Sequence, residues 1–219
     1  MVFSSIPFLY YFLPAVLAVY FLTPRKGKNA VLLLASLIFY GWGELRLLPL
    51  MAFTILLCYV CGLGIERSRK RKKLWLLASI VISVGLLGVF KYADFFIGSL
   101  NAVTGLKIPL LHLALPVGIS FYTFAAISYL IDAARGDCEV ETSFIDFALF
   151  LNFFATVTQG PICRAGALLP QLKAEHRFDA ARTVQALRLL ALGLFKLVAV
   201  SDVLGLLVDE VFPNYGSYG

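Results

Sequence analysis

The chain is a succession of apolar runs separated by short polar segments. The first four runs are Ile6–Leu22, Val31–Trp42, Leu47–Ile65 and Leu74–Phe90. A helix needs about 20 apolar residues to cross the hydrocarbon core of a bilayer, and fewer where the bilayer thins locally. The pattern therefore predicts four membrane-spanning helices, the second of them short and ending in an aromatic cluster at residues 39–42.

The second half of the chain has a less regular pattern. Leu115–Ile131 predicts a fifth span and Leu187–Val208 a last one. Between them, Phe144–Val157 is an apolar run of 14 residues followed by Thr158-Gln159-Gly160-Pro161, which favours a re-entrant segment over a full crossing. Ala165–Arg182 is basic and amphipathic, as is typical of a helix on the membrane surface. We predict an all-α membrane bundle of about six spans, one re-entrant segment and one surface helix, forming a single domain over residues 1–219.

The composition agrees with a chain whose solvent is mostly lipid. Of the 219 residues, 60% are hydrophobic and 15% are charged. An ordinary soluble domain is about 45–50% apolar and about 25% charged. The difference excludes a soluble enzyme, a disordered chain and a disulfide scaffold.

The distribution of charge predicts the orientation. The net charge is +6, and nine of the 19 basic residues lie in the two loops Arg25–Lys28 and Arg67–Lys73. Such loops are typically cytoplasmic and meet anionic lipid headgroups, so they do not indicate a nucleic-acid partner. We expect the N-terminus and Lys91–Lys107 to lie outside. Because Met1–Ser5 carries no basic residue, we expect the first span to be retained rather than cleaved as a signal peptide.

Few ionisable groups lie inside the apolar runs. Lys196 and Asp202 both fall in the last predicted span, where an unpaired charge costs about 2.5–3.5 kcal/mol on insertion scales. Six residues apart, they cannot pair along one helix, which leaves cavity lining and pairing with another helix as alternatives. Cys58 and Cys61 form a C-x-x-C with no second pair, so we interpret them as packing residues and predict no metal site. His112 and His176 lack partners for catalysis and are interpreted as solvated.

Five motifs occur in order along the chain. They are the start Met1–Pro14, then Ala35–Trp42, Leu115–Phe124 running on to Asp132 and Gly136, Gln159–Arg164, and Leu194–Lys196 with Ser201–Asp202. Together they resemble the membrane-bound O-acyltransferases, and specifically their bacterial alginate O-acetyltransferase branch, over essentially the whole chain. The resemblance implies a ring of helices around a thinned centre.

The resemblance also implies an activity and a location. It implies transfer of an acetyl group from a cytoplasmic donor, acetyl-CoA or another acyl carrier, to an exported polysaccharide such as alginate or to a periplasmic relay protein, within the bacterial inner membrane. No tightly bound cofactor is expected. The acyl donor is expected as a substrate and membrane lipid as a partner. Family members are about twice as long as this chain and carry a catalytic histidine in a later helix, so we expect a truncated N-terminal portion with its histidine beyond Gly219. D-alanyl transfer to teichoic acid, a transporter and an inactive scaffold remain alternatives.

Within these 219 residues the resemblance implies roles in binding. Arg164 is expected to bind an anionic phosphate or carboxylate of the donor, with headgroup contact as the alternative. Gln159 and Asn152 are expected to donate hydrogen bonds along a central path, next to the Gly160-Pro161 break. Ser120 and Tyr122 are expected to line the wall of the fifth span. For Ser120, Tyr122 and Asn152, hydrogen bonding between helices is the alternative.

Overall fold

The computed structural model describes residues 4–68, 70–158 and 160–217, and within these ranges the chain is helical with no strand. The prediction of an all-α chain is therefore confirmed. The α-helices are α1 Leu13–Leu22, α2 Lys28–Glu44, α3 Leu48–Arg67, α4 Lys72–Thr104, α5 Ile119–Arg135, α6 Phe144–Asn152, α7 Phe154–Val157, α8 Ala165–Lys173, α9 Ala180–Phe195 and α10 Asp202–Val211. Two π-helical segments, Pro7–Phe12 and Lys196–Ser201, lead into α1 and join α9 to α10.

Three helical stretches of the described chain are long and apolar enough to cross a membrane. They are Arg25–Arg67, which contains α2 and α3, then Lys72–Thr104 and Ala180–Val211. Pro7–Leu22 is a shorter apolar helix. The chain is accordingly a membrane protein.

Two helix boundaries differ from the prediction. Helix α4 does not end at Phe90 but continues through Lys91 and Asp94 to Thr104, because residues 91–104 contain no proline to interrupt it. Its 33 residues measure about 50 Å, against about 30 Å for a hydrocarbon core. The predicted surface helix over Ala165–Arg182 is wrong in extent. Helix α8 ends at Lys173, and a new helix begins at Ala180, where the Asp179 carboxylate caps the backbone N–H groups of residues 181 and 182.

The chain separates into two compact units, one formed by Leu22–Glu175 and the other by residues 4–21 together with 176–217. In the first unit, α5 runs antiparallel to both α2 and α4. The Glu44 carboxylate at the end of α2 accepts the backbone N–H of Val117, just before α5 begins, at 3.3 Å. At the other end, Lys72 at the start of α4 donates to the carbonyl of Ala134 at 3.1 Å.

The segment after α4 folds back on the end of that helix. Both oxygens of the Asp94 carboxylate accept backbone N–H groups, from Leu111 at 2.7 Å and from His112 at 3.0 Å. The Asn101 side chain both accepts from the Ile108 N–H and donates to its carbonyl. These side chains satisfy backbone groups that a non-helical segment near a membrane would otherwise leave unpaired.

The second unit contains α1, α9 and α10. The rings of Phe21 and Phe178 meet edge to face at 5.7 Å and connect the N-terminal and C-terminal parts of this unit. None of the side chains of α9, α10 or the π-helical segment between them is buried. Lys196 and Asp202, at the two ends of that segment, are therefore exposed.

Candidate functional site

A broken helix lies at the centre of the first unit. Helix α6 ends at Asn152, Phe153 adopts an extended conformation with φ −58° and ψ 120°, and α7 resumes for four residues. The six consecutive residues 147–152 are all buried, so this part of α6, which leads to the break, is enclosed by protein on every side. Because lipid-facing backbone must be fully hydrogen-bonded, a break of this kind is tolerated only where protein or a polar cavity surrounds it.

Helices α2 and α5 fix the break in place. The N–H of Phe154, which α6 cannot satisfy, donates to the Ser36 hydroxyl of α2 at 3.1 Å, and that hydroxyl donates in turn to the Leu32 carbonyl at 2.7 Å. Gly118, before α5, has φ +75°, and a Cβ there would overlap the carbonyl oxygen of Val157. The start of α5 therefore lies directly against α7 because residue 118 is glycine.

A small pocket opens beside the break, with room for about one water molecule. Its walls come from α5, α6, α7, α8 and the segment before α8. The lining residues used below are Tyr122, Ala125, Leu151, Val157, Pro161 and Cys163. The structure thus brings two residues predicted from sequence, Tyr122 and Pro161, to the same pocket.

Three buried polar side chains on the helices around the break have no hydrogen-bond partner within the described residues. They are Tyr40 of α2, Tyr122 of α5 and Asn152 at the end of α6, with exposed fractions of 3%, 2% and 0%. For Asn152 both the amide oxygen and the amide nitrogen are unpaired. A buried polar group without a partner costs about 1–3 kcal/mol, so three such residues call for a ligand or water to satisfy them. We call them the unpaired cluster.

The two phenols of the unpaired cluster, Tyr40 and Tyr122, lie near each other and near one carboxylate. The hydroxyls of Tyr40 and Tyr122 lie close enough to interact with each other, and the Glu44 carboxylate acts on both. Within the described part of the chain, no cationic side chain acts on either phenol. The site is therefore rich in hydrogen-bond donors but unsuited to an anion.

The other residues predicted for the site lie in several places. Gly160 packs against the backbone of Ala155 and Thr156, and Ser120 is half-buried on α5, two residues before Tyr122. Arg164 is exposed at the residue before α8, directly after the pocket wall formed by residues 161–163. Gln159 lies outside the described residues.

Lys196 and Asp202 are not brought to this pocket. Both belong to the second unit, and within the described part of the chain neither makes an ion pair. Sequence reasoning missed three residues that do matter here, Ser36, Tyr40 and Glu44. The first two belong to the motif Ala35–Trp42, and their four-residue spacing on one helix face was the sign available in the sequence.

A second polar group of residues lies at the end of the first unit where α2 and α4 begin. Glu141, nearly buried, pairs with Lys173 of α8 at 2.6 Å and accepts the Ser143 N–H. The Glu141 N–H donates to the Tyr129 hydroxyl of α5 at 2.9 Å. Asn29 of α2 donates to the Asp146 carboxylate of α6 at 2.7 Å. These contacts hold α5, α6 and α8 in register at this end, which we call the basic end because both basic loops adjoin it.

The comparison with curated proteins identifies the relatives of this chain. It is 39% identical to the probable alginate O-acetylase of Pseudomonas putida over 97% of this chain and 45% of that protein. The corresponding protein of Pseudomonas aeruginosa is 38% identical over 97% of this chain and 42% of its own length. The chain belongs to the same family as these acetylases. The resemblance to the membrane-bound O-acyltransferases, and to their alginate branch, is thereby confirmed.

Another relative is named for a different acceptor. The peptidoglycan O-acetyltransferase of Helicobacter pylori is 30% identical over 92% of this chain and 45% of that protein. The chain thus spans less than half the length of the curated relatives it matches. No family model and no solved structure matches it.

Proposed function

We propose that the protein is the membrane subunit of a polysaccharide O-acetyltransferase, which moves acetyl groups from a cytoplasmic donor to an exported polysaccharide such as alginate. The donor is acetyl-CoA or another acyl carrier. The observation that carries the proposal is the pocket beside the break between α6 and α7, found in a chain 39% identical to an alginate O-acetylase. A polar break enclosed by helices offers a place where the two sides of the membrane can communicate.

In this reaction the bond between the acetyl carbon and the donor breaks, an ester bond to a hydroxyl oxygen forms, and the hydroxyl proton ends on the departing donor group. A base must take that proton, and neither His112 nor His176 lines the pocket. The family resemblance implies that a histidine takes this proton. We assign to the present residues the binding and orientation of the reacting groups.

The proposed arrangement in the membrane has about six spans, a re-entrant segment at α6 and α7, and an N-terminus outside the inner membrane. The alternating directions of α2, α4 and α5 support it. The two basic loops, which directly precede α2 and α4, also support this arrangement. Asn29 of α2 contacts Asp146 and Lys72 of α4 contacts Ala134, both at the basic end of the first unit. Basic loops are retained in the cytoplasm, which makes this end the donor side.

Cysteine labelling in whole cells tests the orientation. In a variant whose Cys138 and Cys163 are replaced by alanine, a membrane-impermeant maleimide should label Lys107→Cys in intact cells. Lys73→Cys should be labelled only after permeabilisation. The reverse pattern would invert the proposed topology.

Arg164 is proposed to bind a phosphate or carboxylate of the donor. It is exposed, directly follows the wall residues 161–163, and its guanidinium could engage such a group in a bidentate manner. In the full-length protein, Arg164→Ala should lower polysaccharide acetylation by about tenfold or more, as expected for loss of one charge-assisted contact. The matched control is Arg46→Ala, an exposed arginine between α2 and α3. Equal acetylation in both variants would remove Arg164 from the site.

The activity itself is tested in a strain that lacks the gene. Restoring the full-length gene should restore ester-linked acetate on the exported polysaccharide, measured after mild alkaline release. Peptidoglycan is a second candidate acceptor because the relative named for it covers 92% of this chain. Acetate that returns to peptidoglycan alone would favour that acceptor, and acetate that returns to neither would contradict acetyl transfer.

A further inference from the structure

The unpaired cluster is built differently from the other buried hydroxyls of the first unit. Tyr129, on the same helix as Tyr122 and seven residues later, accepts the N–H of Glu141. Ser36, on the same helix as Tyr40 and four residues earlier, accepts the N–H of Phe154. Tyr40, Tyr122 and Asn152 have no such partner among the described residues, although all three are more than nine-tenths buried. Tyr129 and Ser36 thus accept hydrogen bonds from backbone N–H groups, whereas the other three side chains accept none from the described residues.

A purely structural role does not explain the polar atoms of the unpaired cluster. Phenylalanine would fill the space of either tyrosine, and leucine the space of Asn152, without leaving a buried polar atom unsatisfied. Within a helical bundle in lipid, such atoms are retained where something outside the fold binds them. The three residues come from α2, α5 and α6, the helices that surround the break.

The chemistry of the missing partner follows from the atoms that would meet it. The two phenol hydroxyls and the amide nitrogen of Asn152 can donate, so a partner with an accepting oxygen satisfies these three atoms, whereas the amide oxygen of Asn152 accepts and needs a separate donor. Glu44 acts on both phenols and no cation among the described residues does, so an anionic oxygen is disfavoured. An uncharged carbonyl oxygen meets both conditions.

The pocket next to the cluster has walls that suit a methyl group. Tyr122 lines it, and Leu151 lines it directly before Asn152 in the chain. Ala125 and Val157 add small apolar surfaces, and the space is about that of one water molecule. A group with one methyl and one carbonyl therefore fits better than a longer acyl chain.

We propose that Tyr40, Tyr122 and Asn152 bind the carbonyl oxygen of the acetyl group during transfer, with its methyl in the pocket of Ala125, Leu151 and Val157. The proposal rests on the acetyl transfer proposed above and names the residues that hold the transferred group. The hydroxyls donate to the uncharged carbonyl oxygen and hold the acetyl group in position for attack.

The test compares removal of a hydroxyl that has no hydrogen-bond partner with removal of a hydroxyl that accepts a backbone N–H. Tyr40→Phe and Tyr122→Phe each delete one oxygen atom of the unpaired cluster, and Tyr129→Phe deletes one from the same helix as Tyr122. Each variant of the full-length protein is assayed for ester-linked acetate on exported polysaccharide, normalised to the amount of folded protein. Thermal unfolding of each purified variant is measured in detergent.

We expect Tyr40→Phe and Tyr122→Phe to unfold at the wild-type temperature or above it, and to acetylate about 10–100-fold more slowly because the acetyl group is less well positioned. Tyr129→Phe should show the opposite combination, with a lower unfolding temperature and acetylation per folded molecule close to wild type. Wild-type acetylation in Tyr40→Phe and Tyr122→Phe would overturn the proposal. So would a loss of unfolding temperature in them as large as in Tyr129→Phe, since that would make the hydroxyls structural.

Asn152→Leu gives an independent check because it removes both unpaired amide atoms and keeps the branching and the number of side-chain heavy atoms. The expected result is again slow acetylation without loss of unfolding temperature. Failure of the underlying function is distinguishable, because the wild-type protein itself would then add no acetate. An active wild type with an equally active Asn152→Leu would leave acetyl transfer standing and remove Asn152 from the acetyl site.

Discussion

The backbone N–H of Phe154 and the hydroxyl of Ser36 are joined at 3.1 Å across 118 residues of sequence. This contact attaches the first residue of α7 to the middle of α2 and satisfies a donor that the helix break leaves without a carbonyl. The geometry of the break therefore depends on a side chain from a distant span.

Ser36→Ala should destabilise the first unit. The substitution leaves the Phe154 N–H buried without an acceptor, which costs about 1–3 kcal/mol of unfolding free energy. Denaturant unfolding in detergent measures the change. The control is Ser99→Ala on the exposed surface of α4, which should change the same quantity by less than about 0.5 kcal/mol. Equal effects would show that the Ser36 contact does not hold the break.

The ion pairs of the first unit should differ in strength with their burial. Lys173 and Glu141 are 2.6 Å apart, and the Glu141 side chain is 4% exposed. Arg25 and Glu175 are 3.8 Å apart with side chains 70% and 44% exposed. Lys173→Met should cost about 1–3 kcal/mol because it leaves a buried carboxylate without its cation, and Arg25→Met less than about 1 kcal/mol. Urea unfolding ranks the two variants, and a larger loss for Arg25→Met would contradict the assignment.

Gly118 should tolerate no side chain. Its φ of +75° disfavours any L-residue, and a Cβ would meet the Val157 carbonyl oxygen. Gly118→Ala should therefore lower the unfolding free energy by at least about 2 kcal/mol and reduce acetylation. Gly136 has φ +88° with open space around it, so Gly136→Ala isolates the backbone penalty of about 1 kcal/mol. If both variants lose the same stability, α5 does not approach α7 as described.

Cys138, in the segment between α5 and α6, should react slowly at neutral pH. Burial raises the pKa of its thiol, and the carboxylates of Asp132 and Asp137 raise it further. A raised thiol pKa favours the unreactive protonated form, so alkylation should increase only as the pH rises above the ordinary thiol value. Iodoacetamide labelling of the Cys138 peptide, followed by mass spectrometry across pH, measures this. Asp137→Asn should shift the profile to lower pH, and a half-maximal rate below about pH 8.5 in the unmodified chain would contradict the prediction.

The sequence predicted the helices better than it predicted where they end. The six predicted spans fall largely on helical residues, because a helix satisfies its own backbone hydrogen bonds in lipid. Leu115–Ile131 nevertheless begins four residues before α5, and Leu187–Val208 is divided among α9, a π-helical segment and α10. The predicted fourth span ends before Lys91 because charged side chains usually lie outside the membrane. A charge can end a membrane span without ending the helix, and α4 continues to Thr104. The predicted break follows the run Phe144–Val157, at Gly160-Pro161, whereas the helix is interrupted inside that run, at Phe153.

The candidate site was only partly visible in the sequence. Tyr122, Asn152 and the Pro161 segment were predicted as neighbours of a central path, and the structure places Tyr122 and Pro161 on one pocket. Tyr40 was not predicted, because a tyrosine in an aromatic cluster at a span end normally sits at the membrane interface. Only the packing of α2 against α6 shows that Tyr40 is buried and that its hydroxyl has no partner.

The distance in sequence between Ser36 and Phe154 has a consequence for how the protein is made. A ribosome adds about 5–20 residues per second, so Phe154 emerges roughly 6–24 s after Ser36. During that interval the Ser36 hydroxyl already donates to the Leu32 carbonyl of its own span at 2.7 Å. The span can therefore lie in the bilayer with the Ser36 hydroxyl donating to its own helix. The contact that fixes the central break forms only after residue 154 has been synthesised.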